Sequence, residues 1–186
     1  MTAAELEEFS LRKVLREKKI PREISSLLVV VRVRYIGFDS LSHDGLLIVH
    51  RDLAGEIRDI FIDLYKSGFP LRSVSPVSFF KWSDSLSASL NNTSCFNYRK
   101  IKGYNKFSYH ALGRAVDINP LFNPQFRKGK VFPPNGKYIK ERPGTVYEGG
   151  GVVEIFARRG WKWGGRWIHS KDFQHFYKTF ENGEKE

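Results

Sequence analysis

The chain has 186 residues, of which 41% are hydrophobic and 27% charged, and its formal net charge is +11 at pH 7. This length and hydrophobic content fit one folded domain with a real core. No apolar run approaches the roughly 20 residues that cross a bilayer, so we expect no transmembrane segment. The single cysteine, Cys95, excludes an internal disulfide and a cysteine metal cluster.

The positive charge is concentrated between Arg99 and Arg142, where basic residues greatly outnumber the two acidic ones, Asp117 and Glu141. A field of this sign attracts nucleic acid, anionic lipid or an anionic cell wall. Charge alone does not choose among these partners.

The first half of the chain predicts a helix followed by two strands. Residues 3–19 have a narrow apolar face and end before Pro21, which predicts a helical arm over residues 1–25. Alternation of apolar residues with arginines over 27–35 predicts a strand with one buried face. Residues 46–49 are predicted as a second short strand.

The clearest helix spans residues 53–67, where apolar residues recur at steps of three and four and Asp52 is a plausible N-cap. Residues 69–80 read as extended. The stretch 83–95 is rich in Ser and Asn and is expected to be a long loop. A short buried strand is predicted over 115–118.

The second half alternates irregular and regular segments. Residues 121–151, rich in Pro, Gly, Asn and Lys, are predicted as a surface insertion. A short helix over 152–159 and a final strand follow. Short strands with few helices favour an α+β fold, a small, mostly antiparallel sheet with flanking helices, in one domain over residues 26–182.

Two segments carry the chemistry. His110 and Asp117 lie in the first, and Asp172 and His175 in the second. Hydrolytic zinc takes three protein ligands from His and Asp or Glu and keeps one position open, and a further carboxylate accepts a proton from water. His110, Asp117 and His175 are therefore candidate ligands of one zinc ion, with Asp172 as general base.

The spacing of these residues sets a structural condition. His110 and Asp117 suit a loop and a strand that meet at one cleft. Asp172 and His175 are three apart, so on a regular strand they would face opposite sides. A bend or bulge is expected to bring both to the metal.

The flanking residues make the pattern specific: Ser-x-His-x-x-Gly-x-Ala-x-Asp-Ile over 108–118, then Trp-Gly-Gly-x-Trp over 163–167 and Asp-x-Gln-His-Phe over 172–176. Over Val33 to Phe180 the chain resembles the M15 metallopeptidases. These are the D-alanyl-D-alanine carboxypeptidases and L-alanyl-D-glutamate endopeptidases of the LAS group. The resemblance implies a LAS/Hedgehog-like zinc peptidase fold.

The resemblance also implies residue roles. His110, Asp117 and His175 match the zinc ligands and Asp172 the general base. Arg99 matches the family arginine that polarises the scissile carbonyl, and Ser108 a pocket residue near the zinc. Tyr98 and Trp163 are further candidates for substrate binding. The chain departs from the family at 84–87 and at Arg166, which leaves the exact scissile bond open.

These observations predict a zinc peptidase that cleaves peptidoglycan stem peptides, as a D-alanyl-D-alanine-type (D,D- or L,D-) carboxypeptidase. The alternatives are a phage-lysin-type L-alanyl-D-glutamate endopeptidase and a non-catalytic zinc-containing binding module, as in the Hedgehog signalling domain. A nucleic-acid protein is not expected, because it would give no reason for the zinc cluster. Action at an anionic cell wall, periplasmic or extracellular, is expected. The N-terminus shows no export signal, so the signal would be removed, or delivery would depend on lysis.

Overall fold

A long antiparallel hairpin forms one side of the molecule in the computed structural model, which describes residues 9–101 and 103–180. Strands β1 (Leu28–Ile36) and β2 (Ser42–His50) pair in a register that sets Leu28 opposite His50. The predicted alternation in β1 is confirmed: Val31, Val33 and Tyr35 are buried and the arginines between them exposed. The buried face contributes to the main core.

The helices are α1 (Leu11–Glu17), α2 (Arg22–Ser25), α3 (Ala54–Lys66), α4 (Asp84–Ser89) and α5 (Gly151–Ala157). Helix α3 packs on the hairpin with the predicted apolar face, including Ile57, Ile60 and Leu64. The prediction that Asp52 caps this helix is wrong, because Asp52 lies in a short 3-10 turn, Arg51–Leu53, that precedes the helix.

The predicted N-terminal helix over 3–19 is described only from residue 9, and residues 1–8 lie outside the described residues. Ser10 caps α1 by accepting a hydrogen bond from the amide of Lys13. Leu15 of α1 is buried in a second apolar cluster with Leu28, Ile48 and Phe96. This part of the predicted arm therefore lies against the domain.

The remaining strands are short: β3 (Ser73–Val74), β4 (Asn92–Thr93), β5 (Ala115–Asp117), β6 (Gln125–Arg127), β7 (Lys130–Phe132), β8 (Lys162–Trp163), β9 (Lys171–Asp172) and β10 (His175–Tyr177). They form a parallel pair β3–β4 and two antiparallel sheets, ordered β5-β10-β8 and β7-β6-β9. The α+β prediction is confirmed, although several small sheets replace the single one expected.

Two stretches predicted to be irregular contain regular structure. The expected loop 83–95 contains α4, which Ser83 caps by accepting from the amide of Leu86, and β4. The insertion 121–151 contains the β6–β7 hairpin, and Asn123 and Val146 within it are fully buried. The segment predicted as a surface insertion therefore also contributes buried residues. Its core residues are held by asparagine side chains that the sequence pattern does not reveal.

Four buried asparagines bond backbone groups around the insertion, and three of them, Asn91, Asn119 and Asn123, bond the insertion itself. The amide of Asn119 donates to the carbonyls of Pro70 and Gly144, and that of Asn123 donates to Ile118 and Gly144. Asn91 accepts from the amides of residues 121 and 122, and Asn92 donates to Ser75. We refer to Asn91, Asn92, Asn119 and Asn123 as the amide hub. Such bonds satisfy buried backbone groups where no sheet ladder is available.

Among the described residues, no helix combines the length and apolar character that a membrane span requires.

Candidate metal centre

Three predicted ligands meet at one point. His110 lies on a 3-10 turn, Tyr109–Leu112, and Asp117 ends β5, while His175 begins β10 directly opposite Asp117 in the antiparallel register. The Nε2 atom of His110 lies 3.1 Å from Nδ1 of His175 and 3.2 Å from Oδ2 of Asp117. Nδ1 of His175 lies 3.0 Å from Oδ1 of Asp117.

The chemistry of this donor set fits zinc. In tetrahedral coordination at 2.0–2.1 Å, ligand atoms lie about 3.3 Å apart, close to the shortest distance between each pair of these side chains, although Asp117 presents a different oxygen to each histidine. Nδ1 of His110 lies 2.5 Å from the carbonyl oxygen of Cys95. A proton held on Nδ1 by that carbonyl leaves Nε2 as the lone-pair donor, which is the usual support of a metal-binding histidine.

The pKa values of Asp117 and His110 each depend on the charge of the other group. Burial raises the pKa of Asp117, but the two imidazoles outweigh burial and lower it well below its usual range. Burial also disfavours the charged form of His110, but the carboxylate of Asp117 outweighs this and raises the pKa of His110. A largely buried carboxylate between two imidazoles is an arrangement that a divalent cation stabilises.

The turn at His110 depends on a glycine. Gly113 ends the turn with φ of +66°, and a Cβ there would lie 2.5 Å from the backbone nitrogen of His50 and 2.8 Å from the carbonyl carbon of Val49. The turn therefore sits directly on strand β2. Ser108 begins the turn and its hydroxyl accepts a hydrogen bond from the amide of His110.

Asp172 lies beside the cluster but on another sheet. It ends β9, in the sheet β7-β6-β9, whereas His175 belongs to β5-β10-β8. The chain turns between the two sheets at Phe173 and Gln174, which is the bend that the spacing required. Of the His, Cys, Asp and Glu residues that the structure describes, only His110, Asp117 and His175 group closely enough to hold a metal together, so Asp172 stands outside the ligand set.

The environment of Asp172 suits a base. Its carboxylate is buried, and burial raises its pKa to about 6. Its Oδ1 has no hydrogen-bond partner, whereas Oδ2 accepts a hydrogen bond of 2.6 Å from the amide of Gln125. One oxygen is therefore fixed and the other is free to accept a proton.

Gln125 was missed by the sequence interpretation. It lies on β6, directly opposite Asp172 in the antiparallel register. The two residues are 47 positions apart, and a three-residue strand inside a Pro- and Gly-rich stretch carries no readable periodicity. The one available signal was a polar, uncharged side chain between Pro124 and Phe126.

The backbone approaches Asp172 closely at the Gly-Gly motif. A Cβ on Gly164 would lie 2.8 Å from the carbonyl oxygen of Asp172, 2.9 Å from its Cβ and 3.4 Å from that of His175. Any side chain at Gly164 would therefore displace the strand ends that carry Asp172 and His175.

Arg99 lies at the edge of the centre. Its guanidinium contacts the carboxylate of Asp84 at 3.3 Å, and its side chain is 37% exposed. The positive charge of Arg99 acts against the protonation of His110, so it opposes part of the rise in the pKa of His110 that Asp117 causes. The Nε atom of Arg99 is buried without a hydrogen-bond partner.

The remaining predicted residues have structural contacts. The ring of Tyr98 stacks on Phe107 and packs on the second apolar cluster. Trp163 is buried in the main core, and its indole nitrogen donates to the carbonyl of Phe173. Arg166 bonds Glu148 through two nitrogens, at 2.6 and 3.0 Å. Cys95 is buried, and burial raises the pKa of its thiol strongly, which argues against a nucleophilic role.

One comparison with known proteins covers the part of the chain that carries these residues. Residues 102–178 match a family model of the M15 peptidases that is described as D-alanyl-D-alanine carboxypeptidase. This range includes the three clustered residues and Asp172, and it begins just after Arg99. No curated protein and no solved structure matches the chain. The match confirms the predicted resemblance of the chain to the M15 peptidases.

Proposed function

We propose that the protein is a zinc-dependent peptidase that removes a C-terminal D-amino acid from peptidoglycan stem peptides, as a D-alanyl-D-alanine-type carboxypeptidase. The observation that carries the proposal is a three-residue metal cluster with a separate buried carboxylate beside it, one oxygen of which has no partner. The family match supports the peptidase class.

This arrangement favours catalysis over a purely structural metal. Structural zinc sites are usually closed by four protein ligands, whereas catalytic sites use three and keep one position open. The described residues supply three. A structural site also gives no reason for a buried carboxylate with a raised pKa next to the cluster.

His110, Asp117 and His175 would hold the zinc, which when bound polarises a carbonyl and lowers the pKa of water to about 7. Asp172 takes a proton from the attacking water through its free Oδ1 as the carbon–oxygen bond forms. It then gives that proton to the nitrogen of the leaving amino acid as the carbon–nitrogen bond breaks.

The guanidinium of Arg99 donates to the carbonyl oxygen of the scissile bond as negative charge develops there. Donors of this type contribute about 2.7–4 kcal/mol to the transition state. The contact between Arg99 and Asp84 orients the guanidinium. Asp84 belongs to the stretch 84–87, where the chain departs from the family pattern.

The proposed place of action is the cell wall, outside the membrane. The net charge of +11 would hold the protein on an anionic wall.

The test is mass spectrometry of defined tetra- and pentapeptide stems and of muropeptides after incubation with zinc-loaded protein. We expect loss of one terminal alanine. Asp172→Asn should keep zinc but lower turnover at least about a hundredfold, since general acid–base catalysis contributes 10²–10⁴-fold. His110→Ala should lose both zinc and turnover, and Asp44→Asn, at an exposed position, should change neither.

The other possible results would identify one of the alternative functions or contradict the proposed mechanism. Internal cleavage would identify an L-alanyl-D-glutamate endopeptidase. Bound zinc with no cleavage of any stem peptide would overturn the proposed function and favour a binding module. Full turnover by Asp172→Asn would remove the proposed base from the mechanism.

A further inference from the structure

A cleft of about 470 Å³ lies next to the metal centre. Its lining is aromatic and basic: Tyr138, Lys140, Tyr147, Glu148, Trp163, Gly165, Arg166, Lys171 and Phe173. Gly164 packs against Asp172 while its neighbour Gly165 lines the cleft, which places the cleft beside the candidate site. Lys171 and Phe173 flank Asp172 in sequence.

The floor of the cleft is fixed and apolar. The rings of Tyr138 and Phe173 stack with centroids 3.9 Å apart, and Trp163 packs against Phe173 at 5.9 Å. The hydrogen bond from the indole of Trp163 to the carbonyl of Phe173 fixes these two residues of the floor relative to each other. A rigid aromatic floor accepts the aliphatic part of a ligand with little loss of side-chain entropy.

The rim of the cleft has a net positive charge. Three of its residues are basic, and its one acid, Glu148, is bound by Arg166 at 2.6 Å. The ammonium of Lys140 lies over the ring of Tyr147 at 5.3 Å, and Lys171 is exposed. Glu148 also lies within Coulombic reach of Lys171, but three basic residues against one acid leave the rim with a net positive charge.

Resting on the proposed function, we propose that this cleft binds the part of the substrate peptide that carries a side-chain carboxylate. The aliphatic portion of that residue lies on the aromatic floor, and the carboxylate is bound by Lys140 and Lys171. The lysines thereby select acidic stem peptides over amidated ones. Arg166, where the chain departs from the family pattern, bonds Glu148 and so offsets the charge of the one acid on the rim.

The test measures binding without turnover. Isothermal titration of zinc-loaded Asp172→Asn protein compares a stem pentapeptide with its side-chain-amidated form. We expect amidation to weaken binding about tenfold, as expected for two partly exposed charge contacts. With Lys140→Gln and Lys171→Gln added, both peptides should bind equally. Lys13→Gln with Lys66→Gln, which removes the same charge elsewhere, should keep the tenfold preference.

The outcomes separate this proposal from the proposed function. Equal binding of both peptides to the protein with its lysines intact, or no binding of either, overturns the cleft assignment. Cleavage of stem peptides by the native protein would then still support the peptidase. A carboxylate preference that depends on the two lysines, in a protein that cleaves no stem peptide, would uphold the cleft and overturn the peptidase.

Discussion

At the scale of single residues, the candidate base depends on a side chain from a distant part of the chain. Gln125 fixes one oxygen of Asp172 and leaves the other available. The insertion that carries Gln125 is thereby connected to the chemistry. Sequence patterns predicted that His110, Asp117 and His175 lie together, because their flanks form a readable motif. They could not predict Gln125, because its partner is set by strand register.

Gln125→Ala tests this dependence. Loss of the amide should lower kcat about 10–100-fold, comparable to the effect of removing a hydrogen bond that orients a metal ligand, with KM and zinc content unchanged. Steady-state kinetics and zinc analysis measure the three quantities. Arg127→Ala, on the same strand, serves as the control.

A merely structural role would give a different pattern. If Gln125→Ala lowered the melting temperature and the zinc content together with kcat, the amide would support the fold and not the base. The control variant should match the native protein in all three quantities.

At the scale of elements, periodicity predicted the long ones and failed for the short ones. Strand β1 and helix α3 span enough residues for an apolar pattern to emerge, and both were confirmed. Helix α4 has only six residues, many of them serine, so composition suggested a loop. Its Ser83 cap was a readable signal that the serine-rich context obscured.

The turn that carries His110 should be sensitive to the loss of its glycine. Gly113→Ala combines a left-handed backbone with a clash against strand β2, and we expect a loss of about 3 kcal/mol of unfolding free energy. Gly129→Ala, in the β6–β7 turn, has φ of +71° but open space around it, so it should cost only about 1 kcal/mol.

Urea denaturation of both variants separates strain from steric clash. Equal losses would show that strand β2 yields to the added methyl group. The turn would then not be held against β2 as the structure indicates.

At the scale of the whole molecule, the candidate metal centre lies at the seam between two small sheets, with ligand candidates on β5 and β10 and Asp172 on β9. The α+β class could be predicted from the mixture of short strands and few helices. The division into separate sheets could not, because it depends on which strands pair, and neighbours such as β6 and β9 are distant in sequence.

Zinc should stabilise the whole fold, because the cluster joins β5, β10 and the turn at His110. A ligand at 100 times its Kd adds about 2.7 kcal/mol, which corresponds to a rise in melting temperature of about 5–10 °C for a chain of this size. Differential scanning calorimetry with zinc and with EDTA measures the shift. His110→Ala should show no zinc-dependent shift, and a shift of full size in that variant would place the metal elsewhere.

The pH dependence of stability should reflect a histidine outside the metal centre. Burial lowers the pKa of His50, so the unfolded chain binds a proton at His50 more readily than the folded protein. Its contribution to stability is therefore fully present above the unfolded pKa of about 6.5. It is lost as the pH falls through that value toward the folded pKa.

His50→Asn should make unfolding free energy fall less between pH 7.5 and pH 5.5 than in the native chain. Urea titrations in EDTA keep metal binding out of the comparison. His169→Asn, at an exposed position, should leave the slope unchanged. An unaltered slope in His50→Asn would assign the pH dependence to other groups.

The amide hub has a consequence for chemical durability. Spontaneous deamidation of asparagine begins when the backbone nitrogen of the following residue attacks the side-chain carbonyl and forms a succinimide. Asn119 and Asn123 are each followed by proline, whose nitrogen carries no hydrogen. The two asparagines that join the insertion to the strand carrying Asp117 are therefore shielded from this route of ageing. A long-lived sample should accumulate deamidation at other asparagines before these two positions.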